Sequence, residues 1–293
     1  MNKINIKANF LLLLAAIIWG FAFVAQRFGM QHLGPFTFNA LRFLLGSISL
    51  LPFVYLFRHK NATKIAEPFP KATIIIPLLV GFVLFLASSL QQIGIQFTTA
   101  GKAGFITGLY VIIVPILGIL LHHKTSLGTW LGAISAVTGM YLLSIHGNIG
   151  FAWGDFLVFV GAFFWAIHVL LVDRYIKYYS AVLLACLQFF VCALFSFIFA
   201  LLLEEFIWAN IMAAAIPILY AGVMSVGVAF TLQVIAQRQA KPAHTAIILS
   251  LEAVFAALGG WLLLSESLGL KGIVGAALML LGMLISQLLP TSK

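Results

Sequence analysis

At 293 residues, with 63% hydrophobic and 8% charged side chains and a mean hydropathy of +1.15, the chain has too little charge to cover a water-soluble domain of its size. Sixteen Lys and Arg against seven Asp and Glu give a net charge of +9. The basic residues gather at alternate ends of apolar runs rather than along one stripe with interleaved aromatics, which argues against a nucleic-acid face. The composition is that of an all-α polytopic membrane protein.

The first apolar run follows a basic start, "MNKINIKANF", and mimics a signal peptide. Its apolar part is too long for one, so it is read as an uncleaved first span, 9–27, carrying Trp19 away from either end. The second span, 36–57, opens on "LRF", which places Arg42 within two turns of its outer end, where it acts as an anchor by snorkelling or as a gating residue. A charged, proline-bearing connection around "RHKNATKIAEPFPK" follows, and its "NAT" sequon is placed on the cytoplasmic side.

Span three, 73–97, repeats polar residues at Ser88, Gln92 and Gln96, which share one helix face. Span four, 100–121, sets Thr107 and Tyr110 on one side and a seam of Gly101, Gly104 and Gly108 on another. Pro115 supplies a helix break there. Spans five and six, 128–145 and 152–173, follow, the latter with Trp165 and, one turn on, His168. Cys186 and Cys192 lie on different faces of span seven, 180–203, a spacing that suits neither a disulfide nor a metal pair. Span eight, 212–236, is followed by Gln237, one turn beyond Gln233. Span nine, 242–264, centres on Glu252, and span ten is 271–289.

By this reading twelve basic residues fall at one set of span ends, while Arg27, Arg42, Lys102 and Lys271 fall in the other half. The bias puts both termini in the cytoplasm and the chain in a plasma membrane, the inner membrane of a bacterium. The two halves also repeat. "LQQIGIQF" (90–97) aligns with "LQVIAQRQ" (232–239), Trp19 with Trp165, "LRF" (41–43) with "LQF" (187–189), and Tyr110 with Glu252. Five spans per copy is an odd number, so the second copy enters the membrane inverted, as in many transporters.

The helix "AAIIWGFAFV", the "LRFLLG" start of span two and the closing "SLEAVFAALGGWLLLSESLGLKGIVGAALMLLGMLIS" resemble the EamA domain of the drug/metabolite transporter superfamily, once over 9–145 and again over 152–289. The resemblance implies ten helices, a central cavity between the halves and alternating access for small metabolites such as amino acids, sugars, nucleotide sugars or drugs. The family pattern often has proline after the glutamate of "SLE". Ala253 stands there instead, which removes that cause for a helix break in the second half.

Trp19, Gln92, Tyr110, Trp165, His168, Gln233 and Glu252 are the candidate cavity residues, each weighed against a packing or helix-linking role. Glu252 is the strongest, because a carboxyl near the middle of a span is costly unless protonated, paired or facing water. It is the candidate for proton coupling or substrate contact. The function expected is secondary active export of amino acids or related small solutes. The alternative is an intramembrane enzyme, against which stands the lack of paired acids or metal ligands. "AGKA" at 100–103 lacks the first glycine and the Ser/Thr of a phosphate loop, and no filter-like loop suggests a pore. No cofactor, metal or nucleic-acid partner is expected, and the sequence is silent on monomer versus homodimer.

Overall fold

The computed structural model describes residues 6–61, 72–123, 125–144, 153–265 and 269–289. Residues 62–71, which hold all but the start of the sequon and of the proline-bearing connection, and the loop at 145–152 lie outside the described residues. In chain order the helices are α1 (Ile6–Gly29), α2 (Pro35–Asn61), α3 (Ala72–Gly94), α4 (Ala100–Gly108), α5 (Tyr110–Leu120), α6 (Leu127–Ser144) and α7 (Trp153–Tyr175). They continue as α8 (Ala181–Leu203), α9 (Trp208–Ala213), α10 (Ala215–Leu219), α11 (Thr231–Gln237), α12 (Pro242–Leu249), α13 (Glu252–Leu264) and α14 (Leu270–Leu288). Short 3₁₀ turns, Ile95–Phe97 and Ile176–Tyr178, close α3 and α7, and a π-helical stretch, Tyr220–Phe230, joins α10 to α11.

The span limits read from hydropathy fall close to these ends. Eight rods are long and apolar enough to cross a membrane, while α6 and α14 hold shorter apolar stretches, Leu127–Leu142 and Leu270–Ser286. The helices themselves run 18 and 19 residues, within one residue of the limits expected of spans five and ten. These two helices pack on one another. A Cβ added to Gly282 would stand 2.5 Å from the Gly132 carbonyl oxygen, so only glycine permits this approach. The outward faces carry exposed Ile74, Leu78, Ile216, Leu262 and Leu284, the surface a lipid-facing bundle presents.

Helix α2 packs on α8, α3 on α7, and α1 on α13. Two helix breaks follow from the chain's local chemistry. One lies at Leu109, between α4 and α5, where Leu109 N–H donates to Ile106 O at 3.2 Å and Ile112 N–H to Leu109 O at 3.0 Å, so the winding tightens for one turn. The other spans Ser250 and Leu251, between α12 and α13, with Ala253 N–H donating to Ser250 O at 3.1 Å. Ser250 Oγ donates back to Ile247 O at 2.9 Å, a local bond that bends helices.

Both breaks correct the sequence expectation. Pro115 lies inside α5, six residues past the first one. The second forms beside Ala253 with no proline at all.

Contacts between helix ends sort into two sets. In one, Glu204 at the end of α8 accepts from the Phe36 and Thr37 N–H groups at 2.8 and 2.7 Å, capping the start of α2. In the same set Arg27 donates to the carbonyls of Ile95, Gln96 and Thr98, and Lys102 pairs with Asp155 at 2.6 Å. In the other set His244 bonds Asn9 at 3.1 Å and faces Ser286 at 3.4 Å, while Arg238 bonds the Tyr179 carbonyl.

Candidate functional site

The two breaks bring Tyr110 and Glu252 to one place. Each residue opens the helix that follows a break, α5 and α13, and both line a cavity of about 370 Å³. Helix α1 contributes Trp19, Ala22, Phe23 and Gln26 to its wall, α2 contributes Arg42, and α3 contributes Gln91. From the second half come Trp165 of α7, Ser225 and Phe230 of the π-helical stretch, and Glu252. Helices from both halves of the chain thus build the wall.

Three rings form its apolar side. Trp165 stacks on Phe230 at 5.7 Å and 27°, and Trp19 meets the same ring edge-on at 4.5 Å. The tryptophan N–H groups are satisfied inside the wall. Trp19 Nε1 donates to the Ser225 carbonyl at 3.1 Å, where the wider π winding turns that carbonyl toward α1. Trp165 Nε1 donates to Gln91 Oε1 at 2.8 Å, and Thr107 Oγ1 reaches the same oxygen at 3.4 Å. Gln91 Nε2 in turn donates to Gln26 Oε1 at 3.1 Å, and Gln26 Nε2 to the Ala22 carbonyl at 3.1 Å. This chain of bonds holds Trp165, Gln91, Thr107 and Gln26 in fixed relative positions.

The charged groups are treated differently. Glu252 is 4% exposed and its Oε1 has no hydrogen-bond partner among the described residues. The Tyr110 hydroxyl lies beside that carboxyl and interacts with it directly. Arg42 is 2% exposed, with Nε donating to Asn39 Oδ1 at 2.9 Å and its guanidinium over the Phe43 ring at 4.8 Å.

Trp19, Tyr110, Trp165 and Glu252 therefore line the cavity, and so does Arg42, read from the sequence as an outer-end anchor or gating residue. Arg42 is far better buried than a snorkelling anchor. Three candidates do not reach the wall. His168 bonds Gln188 Oε1 at 2.8 Å and sits edge-on behind Trp165 and Phe230, bracing them. Gln233 Nε2 donates to Gln237, whose own amide donates to the Val169 carbonyl, so the pair ties α11 to α7. Gln92 is fully buried away from the cavity with neither amide atom hydrogen-bonded among the described residues.

The neighbour on the helix, Gln91, takes the place expected of Gln92. Its signal was in the repeat, since the alignment pairs Gln91 with Gln233. Gln26, Ser225 and Phe230 carried no signal of their own in the sequence. The small residues of α13 serve packing rather than opening space: Gly259 faces Phe21 and Val24 of α1, and Ala256 meets α4 at Gly104. Cys186 and Cys192 are free and buried, and the described residues hold no cluster of metal ligands.

The profile of the EamA-like transporter family matches the chain twice, over residues 6–145 and 152–288. The chain belongs to the EamA-like transporter family. An uncharacterized transporter of Archaeoglobus fulgidus is 31% identical over 288 residues, covering 97% of this chain and 87% of that protein. The uncharacterized transporter YoaV of Bacillus subtilis is 25% identical over 278 residues, covering 92% and 93%. A solved crystal structure superposes with a TM-score of 0.78 at 17% identity, over 97% of this chain and 99% of that one, which speaks to the fold. EamA-like membership makes the chain a multi-pass membrane transporter.

Proposed function

We propose that this EamA-like protein is a secondary active exporter of amino acids or related small organic solutes, working by alternating access. Its ten apolar helices act as two inverted five-helix repeats, 9–145 and 152–289, in a plasma membrane with both termini cytoplasmic. The observation that carries the reading is the cavity between the halves, aromatic on one side and holding a buried carboxyl that forms no ion pair among the described residues. Glu252 is the one carboxyl among the described residues lining the cavity, and a single carboxyl supplies only one of the acid and base roles of hydrolysis.

Glu252 is the coupling group of this reading. A carboxyl at the helix break can hold either a proton or the cationic end of a solute, so one occupant leaves as the other arrives. Gradient energy then drives export without any further cofactor. Glu252→Gln keeps the shape and most of the hydrogen-bonding capacity but removes titration. In proteoliposomes the variant should lose proton-gradient-driven movement of amino acids while retaining exchange of labelled for unlabelled solute. Full gradient-driven transport by Glu252→Gln, with its normal pH dependence, removes the coupling role and leaves the glutamate as a helix linker.

A further inference from the structure

Arg42 is a buried cation with no ion-pair partner among the described residues. A guanidinium has five N–H donors. Here Nε alone makes a hydrogen bond among the described residues, to Asn39, and the residue lines the cavity. The described acidic residues are otherwise engaged or remote. Asp155 pairs with Lys102, and Glu204 caps α2 through two backbone N–H groups. Glu205 lies exposed in the loop after α8, and Asp173 is near the far end of α7. Glu252 lines the same cavity but forms no ion pair with Arg42.

A second observation points the same way. Asn39 spends its oxygen on Arg42, and its Nδ2 is left buried without a partner, one turn from the guanidinium. An unpartnered amide thus lies one turn behind a cavity-lining guanidinium that makes one hydrogen bond among the described residues. An uncompensated buried cation is strongly unfavourable, a penalty that an anionic ligand removes. The guanidinium fork matches a carboxylate, which it binds through two parallel bonds. Phe43 beneath the fork and the Asn39 bond hold it in one orientation.

We infer that Arg42, oriented by Asn39, is the carboxylate subsite of the cavity, so that the solute binds as a zwitterion with its α-carboxylate on Arg42 and its ammonium toward Glu252. The Trp19, Trp165 and Phe230 rings take the apolar side chain between them. The inference rests on the amino-acid reading above and adds to it a required chemical group. Solutes without a free carboxylate are then rejected, because they leave the arginine unpaired.

The test uses purified full-length protein in detergent, with tryptophan fluorescence and thermal melting as readouts. The probes are leucine and phenylalanine, the amide of each, and the amine left when each loses its carboxyl group. The wild type should bind one or both acids, and at least about tenfold more tightly than the matched amide and amine. Arg42→Gln should abolish that preference, and Arg42→Lys should keep part of it, since charge remains while the fork is lost. Glu252→Gln should keep the preference for acid over amide. Equal binding of acid and amide by the wild type overturns the subsite and leaves the transporter reading intact, as does a preference that survives in Arg42→Gln. If Arg42→Gln does not fold, the wild-type panel and Arg42→Lys decide alone. Failure of all six probes to bind the wild type overturns both the subsite and the amino-acid reading.

Discussion

Gln91 and Gln92 are adjacent on α3 and have opposite fates. Gln91 accepts from the Trp165 indole and the Thr107 hydroxyl and donates to Gln26, so three polar groups depend on it. Replacing it with leucine strands a buried indole N–H. Membrane hydrogen bonds are individually modest, so Gln91→Leu should cost about 1–2 kcal/mol, read as a lower melting temperature together with weaker solute binding. Gln92 has neither amide atom bonded among the described residues. Removing orphaned polar atoms is neutral or favourable, so Gln92→Leu should melt at or above the wild-type temperature. The reverse ranking would show the cavity network to be incidental. The pair also marks where the sequence stops being informative. The spacing Ser88, Gln92, Gln96 singles out a polar helix face, but in a membrane such a face serves a cavity or an interhelical bond equally well. Trp19, Tyr110, Trp165 and Glu252 were legible because the repeat set each opposite a partner of similar size or polarity. Gln26 and Phe230 were not, because one more amide near a span end or one more phenylalanine among 27 carries no pattern.

At the scale of elements, the helices follow from runs of apolar residues and their punctuation, and close approach between them follows from glycine. A Cβ on Gly139 would lie 2.4 Å from the Gly275 carbonyl oxygen and 2.9 Å from the Met279 amide nitrogen, both backbone atoms that cannot turn aside. Gly139→Ala should force α6 from α14 and cost about 1–3 kcal/mol, seen as a loss of melting temperature and of folded yield. Gly161→Ala is the matched control on α7. Its nearest neighbours are the Ala87 carbonyl oxygen and Leu90 Cβ, each at 3.4 Å, an ordinary contact, and its stability should stay near wild type. Equal loss in both variants would mean that helix propensity or lipid contact, not interhelical distance, sets the cost. The span limits could be read from hydropathy, whereas the Ser250–Leu251 break and the π winding of Tyr220–Phe230 could not. Both arise from competition for backbone carbonyls inside the packed bundle, and an unbroken apolar run looks the same with or without them.

Across the whole molecule, the duplicated frame is used unequally. Where the first half places Arg42 the second places Gln188, and where the second places Glu252 the first places Tyr110, so one cation and one carboxyl from different halves reach a shared cavity. Neither half alone offers both charges, and a solute spanning them reports on their relative position. That role requires the halves to cross the membrane in opposite senses. The contacts between helix ends support it. Glu204 meets the start of α2, Arg27 meets the end of α3, and Lys102 meets Asp155, all at ends assigned to the outside. Asn9, His244 and Ser286 meet at ends assigned to the cytoplasm, as do Arg238 and Tyr179. The assignment of sides itself rests on the distribution of basic residues. The two native cysteines are buried, which leaves a quiet background for labelling. A single cysteine at Glu205, exposed between α8 and α9, should react with a membrane-impermeant thiol reagent in intact cells. One at Lys177, exposed in the turn after α7, should react only after the cells are opened. The opposite pattern would invert the molecule and turn the Arg42 end of the cavity toward the cytoplasm. Labelling of both in intact cells would place α8 wholly on one side and break the alternation on which the inverted repeat depends.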